Sequence, residues 1–243
     1  MSRIRKFYFA RLVGRVFAAL AVVYLYLRHR DAFDVLRGWD FFTRLSPLHA
    51  LWLVWIVDMV GQLVPAQKDL PLGSQKLFRH RFRPLREAIN YKALKEHIVT
   101  TTKAAYKVFL IWVGVLAVLA GLFFTGVLGR NEIFLVAVLF YVCDLICVLI
   151  WCPFRLIMRN RCCTTCRIFN WDHLMMFSPF VLTPGLYTTS LLIIAFAVWV
   201  VWEVCVMLYP ERFWEHTNAA LKCVNCTDKL CTQYCRKLRR PEK

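Results

Sequence analysis

Two cysteine clusters carry the residue types in this chain best suited to chemistry. They are Cys162, Cys163 and Cys166 in "CCTTC", and Cys223, Cys226, Cys231 and Cys235 in "CVNCTDKLCTQYC". Two thiolates three residues apart can chelate one ion from a tight turn, and a second such pair completes a tetrahedral four-sulfur shell. Cys163, Cys166, Cys223 and Cys226 are therefore the expected ligand set, with Cys162, Cys231, Cys235 and His173 as substitutes. Zinc is the expected ion, and an iron–sulfur cluster is the alternative, because four-sulfur sites accept either metal. The tail spacing C-x2-C-x4-C-x3-C is not that of a ferredoxin, which ranks zinc first. In an oxidising compartment the tail cysteines would instead form disulfides.

The remaining four cysteines, Cys143, Cys147, Cys152 and Cys205, lie in or at the ends of apolar runs. Cysteine in such places behaves as a small hydrophobe. Soft thiolates at Cys143, Cys147 and Cys152 would suit Cu(I), but nothing else in the chain supports a copper pathway.

A second set of candidates is ionisable and sits within apolar stretches, where a charge is costly and marks a functional site by default. Asp58 lies in "LVWIVDMVGQLV", Asp144 in "FYVCDLICV" and Glu203 in "WVVWEVCVM"; Arg15, in the first apolar run, is a counter-ion for one of them. Asp172 and His173 follow the CCTTC loop, and a carboxylate–imidazole pair suits proton transfer or metal ligation. The competing explanation is structural: interhelical ion pairs for Asp58 and Asp144, snorkelling for Glu203, and a helix cap for Asp172 and His173.

What positions these residues follows from composition. Apolar residues make up 59% of the 243 and aromatic residues 15%. Mean hydropathy is +0.50. Soluble domains run at roughly 45–50% apolar, so the expected class is an all-α, polytopic integral membrane protein. The net charge of +17 falls between the apolar runs, which reads as membrane topology rather than a nucleic-acid footprint.

Apolar runs predict spans at 12–27, 47–64, 106–128, 133–154 and 186–209, with a short or re-entrant passage at 168–184. The Thr183-Pro184-Gly185 breaker separates the last two. An apolar first run interrupted by Arg15 and followed by Arg28-His29-Arg30 is a retained span rather than a cleaved leader. Residues 65–105 carry nine Lys/Arg against Asp69, Glu87 and Glu96, a cytoplasmic mark. Within them, 84–105 has the spacing of a basic amphipathic helix lying on anionic inner-leaflet lipids. Counting crossings from that loop places the N-terminus and CCTTC in the cytoplasm. Six crossings also bring the 210–243 tail inside, and five leave it outside. The 56 residues between Cys166 and Cys223 are what a hairpin through the bilayer would consume, so a shared metal site requires six.

Three activities fit this layout. The first is a membrane protein whose cytoplasmic four-cysteine metal site is structural, sensory or electron-carrying. The second is a membrane thiol–disulfide oxidoreductase, although CCTTC falls among cytoplasmic arginines rather than on an oxidising face. The third is a proton-coupled transporter using the intramembrane carboxylates. No phosphate loop, HExxH or GxSxG motif is present.

Overall fold

The computed structural model describes residues 3–64, 72–85, 89–160, 162–226, 228 and 230, and among these it is helical throughout, with no strand. The chain forms α1 (Arg3–Arg28), α2 (Asp40–Thr43), α3 (Leu48–Leu63), α4 (Leu72–Gln75), α5 (Tyr91–Phe124), α6 (Arg130–Leu149), α7 (Phe154–Met158), α8 (Asp172–Phe177) and α9 (Leu186–Leu208). Of these, α1, α5, α6 and α9 are long and apolar enough to cross a membrane. The 16-residue α3 is shorter; at 1.5 Å per residue it covers about 24 Å.

Two elements depart from the sequence expectation. The basic stretch before the third span is not a separate helix on the surface. From Tyr91 it runs without interruption into the apolar half, giving one helix of 34 residues. Asn90 starts it, accepting from the Ala93 N–H at 3.1 Å. No proline follows to break the ladder of i to i−4 bonds. Pro84, expected to open that helix, instead forms an isolated bridge with Asn218. The fourth span also ends early, at Leu149, and α7 starts only after Pro153.

α1 packs on α6, and α3 on α9. At one end of the bundle Leu186 N–H donates to the Gly38 carbonyl at 3.0 Å. Arg130 Nη1 joins the same cluster, donating to the Leu36 carbonyl at 2.8 Å. Gly185 is required there: a Cβ would stand 2.5 Å from the Leu36 carbonyl oxygen. At the opposite end Trp202 Nε1 donates to the Arg167 carbonyl at 2.9 Å, and Arg212 Nη1 to the Leu77 carbonyl at 3.2 Å. His97 stacks on Trp214 there, with ring centroids 5.1 Å apart.

Residues 168–184 start beside Trp202 and finish beside Gly38, so they traverse the bundle. They do so as α8 between two 3-10 turns, Phe169–Trp171 and Ser178–Leu182, with Pro179 inside the second. The tail from Pro210 packs at the same end as residues 72–85 through Leu85 N–H to the Thr217 carbonyl and Ala219 N–H to the Arg83 carbonyl. An aromatic core holds the passes together. Trp55, Phe134, Phe177, Phe180 and Tyr187 are all fully buried, with T-shaped or offset contacts such as Trp55–Phe177 at 5.0 Å.

Candidate functional site

Asp58, Asp144, Asp172 and His173, picked out from the sequence, converge with Arg15 around one space, whereas Glu203 does not join them. Arg11 Nη2 donates to Asp58 Oδ1 at 2.5 Å. Arg15 Nη1 donates to Asp144 Oδ2 at 2.6 Å and to the Tyr141 carbonyl at 2.7 Å, while its Nη2 lies 3.7 Å from Asp58 Oδ2. The Arg15 guanidinium also lies over the Tyr141 ring, 4.0 Å from its centroid. Arg15 is therefore the shared counter-ion of Asp58 and Asp144, tying α1 to α3 and α6. Position dictates this: residues 11 and 15 share one face of α1 at i, i+4.

Asp172 and His173 complete the cluster from the broken pass. Asp172 Oδ1 is 3.2 Å from His173 Nδ1, and Gln62 Nε2, at the end of α3, reaches Asp172 Oδ2 at 3.4 Å and His173 Nδ1 at 3.2 Å. Arg15 Nε and Gln62 Oε1 are buried without a hydrogen-bond partner among the described residues. Buried polar atoms are almost always paired, so two unpaired atoms around one space mark it as unusual.

That space is a cavity of about 360 Å³ between α1, α3, α6 and α8. Arg11, Arg15, Asp58, Asp144, Asp172 and His173 all reach its wall. Its other wall carries five thiols: Cys143, Cys147, Cys152, Cys163 and Cys166. Phe7 and Val57 line it and are also 41% and 61% exposed, so the cavity reaches the outer surface of α1 and α3.

The thiols are arranged in two layers. Cys147 and Cys152 both line the cavity, close enough for a hydrogen bond between the two thiols. That contact is the main influence lowering the Cys152 pKa; burial opposes it, and the Phe154 and Arg155 backbone N–H groups and the Arg155 charge add to it. The CCTTC turn, Cys163–Thr165 closed by Cys166 N–H to the Cys163 carbonyl at 3.0 Å, folds against this pair. Cys163 Sγ lies 4.0 Å from the Cys147 carbonyl. Burial raises the pKa of Cys163 to about 12 and raises that of Cys166. Cys152 is thus the thiol readied to ionise, next to Cys163 and Cys166, which hold their protons.

The CCTTC turn is anchored from two sides. Arg167 forms a two-pronged pair with Glu203, which also accepts from Trp171 Nε1 at 2.8 Å. Glu203, offered from sequence as a functional carboxylate or a snorkelling one, is engaged in this pair. Lys76 Nζ donates to the Cys166 carbonyl at 3.1 Å and lies over the Trp202 and Phe213 rings, 5.0 and 5.4 Å from their centroids. Burial lowers the Lys76 pKa to about 7.

The expected four-cysteine metal shell is not assembled in this arrangement. Cys163 and Cys166 face the cavity, and Cys223 and Cys226 bracket a 3-10 turn in the tail. Among the described residues no group of three or more His, Cys, Asp or Glu side chains is arranged to hold a metal ion. Of the substitutes, Cys162 Sγ contacts Thr164 Oγ1 at 2.8 Å and His173 is in the charged cluster. Cys231 and Cys235 lie outside the described residues.

Sequence reasoning passed over Arg11, Gln62, Lys76 and the Cys147–Cys152 contact. Arg11 read as a topology charge and Lys76 as one of nine basic loop residues. Cys147 and Cys152 are five residues apart, and only the chain reversal after Leu149 brings them together. No protein-family model, curated protein or solved structure matches the chain.

Proposed function

We propose that the chain is a multi-pass membrane protein, crossing the bilayer six times, whose cysteine-lined cavity performs thiol–disulfide redox chemistry. The observation that carries this reading is the set of four thiols, Cys147, Cys152, Cys163 and Cys166, in one cavity wall, with Cys163 Sγ 4.0 Å from the Cys147 carbonyl. Six crossings put the N-terminus, residues 65–105, CCTTC and the tail on the cytoplasmic side, where the basic residues gather.

The exchange balances within the chain. With Cys147 and Cys152 joined as a disulfide, Cys163 gives up its proton and attacks Cys147 Sγ, and Cys152 departs as thiolate, since the more acidic thiol leaves faster. Cys166, deprotonated, then attacks Cys163 Sγ and releases Cys147. The Cys163–Cys166 disulfide has formed, Cys147 and Cys152 are thiols, and two electrons have moved between the pairs. Asp172 and His173 supply a buried base and acid for the protons involved.

Disulfide mapping tests the reading. Membranes holding the full chain are treated with a mild thiol oxidant, the remaining thiols are alkylated, and the peptides are analysed by mass. Bonds Cys147–Cys152 and Cys163–Cys166 are expected, and Cys163→Ser should leave the first pair oxidised and unable to exchange. Full alkylation of Cys147 and Cys152 after oxidation would refute the scheme. So would stoichiometric zinc or iron that disappears in Cys163→Ser/Cys166→Ser, which would assign the loop thiols to a metal.

A second reading, proton-coupled transport, draws on the Arg11–Asp58–Arg15–Asp144 chain beside Asp172–His173. Proton uptake by proteoliposomes under a pH gradient, lost in Asp144→Asn, separates it from redox chemistry.

A further inference from the structure

We infer that the cavity takes the headgroup of a lipid-soluble quinone, which accepts the electrons of the Cys147–Cys152 thiol pair. This rests on the thiol reading above and supplies its external electron partner. Size comes first: about 360 Å³ lies at the small end of ligand pockets, which run from about 300 to 1,000 Å³, and suits one or two fused rings.

Access comes second. The lining residues Phe7 of α1 and Val57 of α3 are apolar and exposed, so one part of the cavity wall is continuous with the apolar outer surface of the bundle. In a bilayer that surface faces hydrocarbon, which selects a ligand soluble there. The flat walls follow: Tyr8, Trp112, Phe140 and Phe169 present rings around the cavity, and aromatic pairs favour offset or edge contacts with a planar guest.

The polar groups match the two redox states of a quinone. Its carbonyl oxygens only accept hydrogen bonds, and Arg11, Arg15 and His173 are donors on the cavity wall. The quinol hydroxyls donate, and the carboxylates Asp58, Asp144 and Asp172 stand among those donors. Few ligand classes need both sets in one place.

The step balances as follows. Two thiols and one quinone give one disulfide and one quinol. The Cys147 and Cys152 S–H bonds break and the S–S bond forms. Both electrons and both protons end on the two quinone oxygens. Cytoplasmic thiols then reduce the pair again through Cys163 and Cys166.

The test uses the full chain in lipid nanodiscs with decylubiquinone as the probe, under anaerobic conditions. Reduced protein is expected to convert one equivalent of quinone to quinol with the appearance of the Cys147–Cys152 disulfide. Cys147→Ser/Cys152→Ser should bind decylubiquinone as wild type does and reduce none. Val57→Trp, placed in the exposed part of the lining, should weaken binding by at least about tenfold, the effect of losing roughly 1.4 kcal/mol of affinity. Phe7→Ala, in the α1 part of the lining, gives a second measure should Val57→Trp fail to fold. Equal binding to wild type and both lining variants would mean partition into lipid and would overturn the inference. Quinone bound but not reduced by the dithiol protein would overturn it too. Either result leaves the exchange scheme standing if the mapped disulfides are those expected. Absence of those disulfides removes the thiol reading itself.

Discussion

Arg15 is the residue whose replacement should do most damage, and the geometry ranks its neighbours. Arg15 is only 5% exposed and pairs with Asp144 at 2.6 Å and with Asp58 at 3.7 Å. At an effective dielectric of about 20 these separations correspond to gross attractions of about 6 and 4.5 kcal/mol, before desolvation is subtracted. Removing one partner of a buried pair costs about 3–5 kcal/mol, because the other charge is left uncompensated. Arg15→Met strands Asp144 completely, whereas Asp58 keeps Arg11 at 2.5 Å, so a loss of about 3–5 kcal/mol is expected. Asp144→Asn keeps an acceptor for Arg15 and leaves it Asp58, so about 2 kcal/mol is expected. In Asp58→Asn, Arg15 retains Asp144, and Arg11, about a third exposed, turns to solvent, so the loss should be about 1 kcal/mol or less. Arg15→Met/Asp144→Leu should recover most of the single-variant loss, as apolar replacement of a whole buried pair does. Equilibrium unfolding of the purified chain in mixed micelles, followed by tryptophan fluorescence, reads all four. An Asp58→Asn loss equal to that of Asp144→Asn would refute the ranking. An Arg15→Met loss below about 1 kcal/mol would show that the pair is solvated rather than buried.

Gly185→Ala should cost more than about 2 kcal/mol in the same assay, since its Cβ would meet the backbone oxygen of Leu36 at 2.5 Å and neither chain can yield without breaking Leu186 N–H to Gly38; a change within about 0.5 kcal/mol would mean the two ends are not held as described. Lys76, its folded pKa lowered to about 7 by burial, is neutral in the folded chain above that pH. The unfolded chain still protonates it up to about 10.5. More protons are bound in the unfolded state across that window, so stability should rise with pH by about 1.4 kcal/mol per unit. Lys76→Met should remove that slope, and an unchanged wild-type-minus-variant difference from neutral to alkaline pH would sink the assignment.

The cost of intramembrane charge made Asp58, Asp144 and Arg15 visible as candidates, because an ionised group in an apolar run needs a partner whatever the fold. Which partner was not visible. Two carboxylates and two arginines on separate helices allow several pairings, and interhelical rotation selects among them. Asp172 and His173 read as a cap because α8 starts there. Their place at the cavity depends on the broken pass carrying them back toward α3.

Hydrophobic run length pointed, without any structure, to an all-helical chain with five or six passages, and four of the helices that form near those runs are long and apolar enough to cross a membrane. These are local properties, set by transfer free energy summed over a window of residues. Whether residues 168–184 traverse was open in the sequence, because their polar start and prolines fail the local test. In the folded chain these residues run as α8 between two 3-10 turns, and the residues that flank them are tied down at Trp202, through the Arg167 carbonyl, and at Gly38, through Leu186 N–H. The cysteines followed the same division. CxxC spacing drew attention to Cys163 and Cys166, and the fold sets them in one cavity wall with Cys147 and Cys152. Spacing along the chain measures only local reach, and the turn after α6 sets which sulfurs meet.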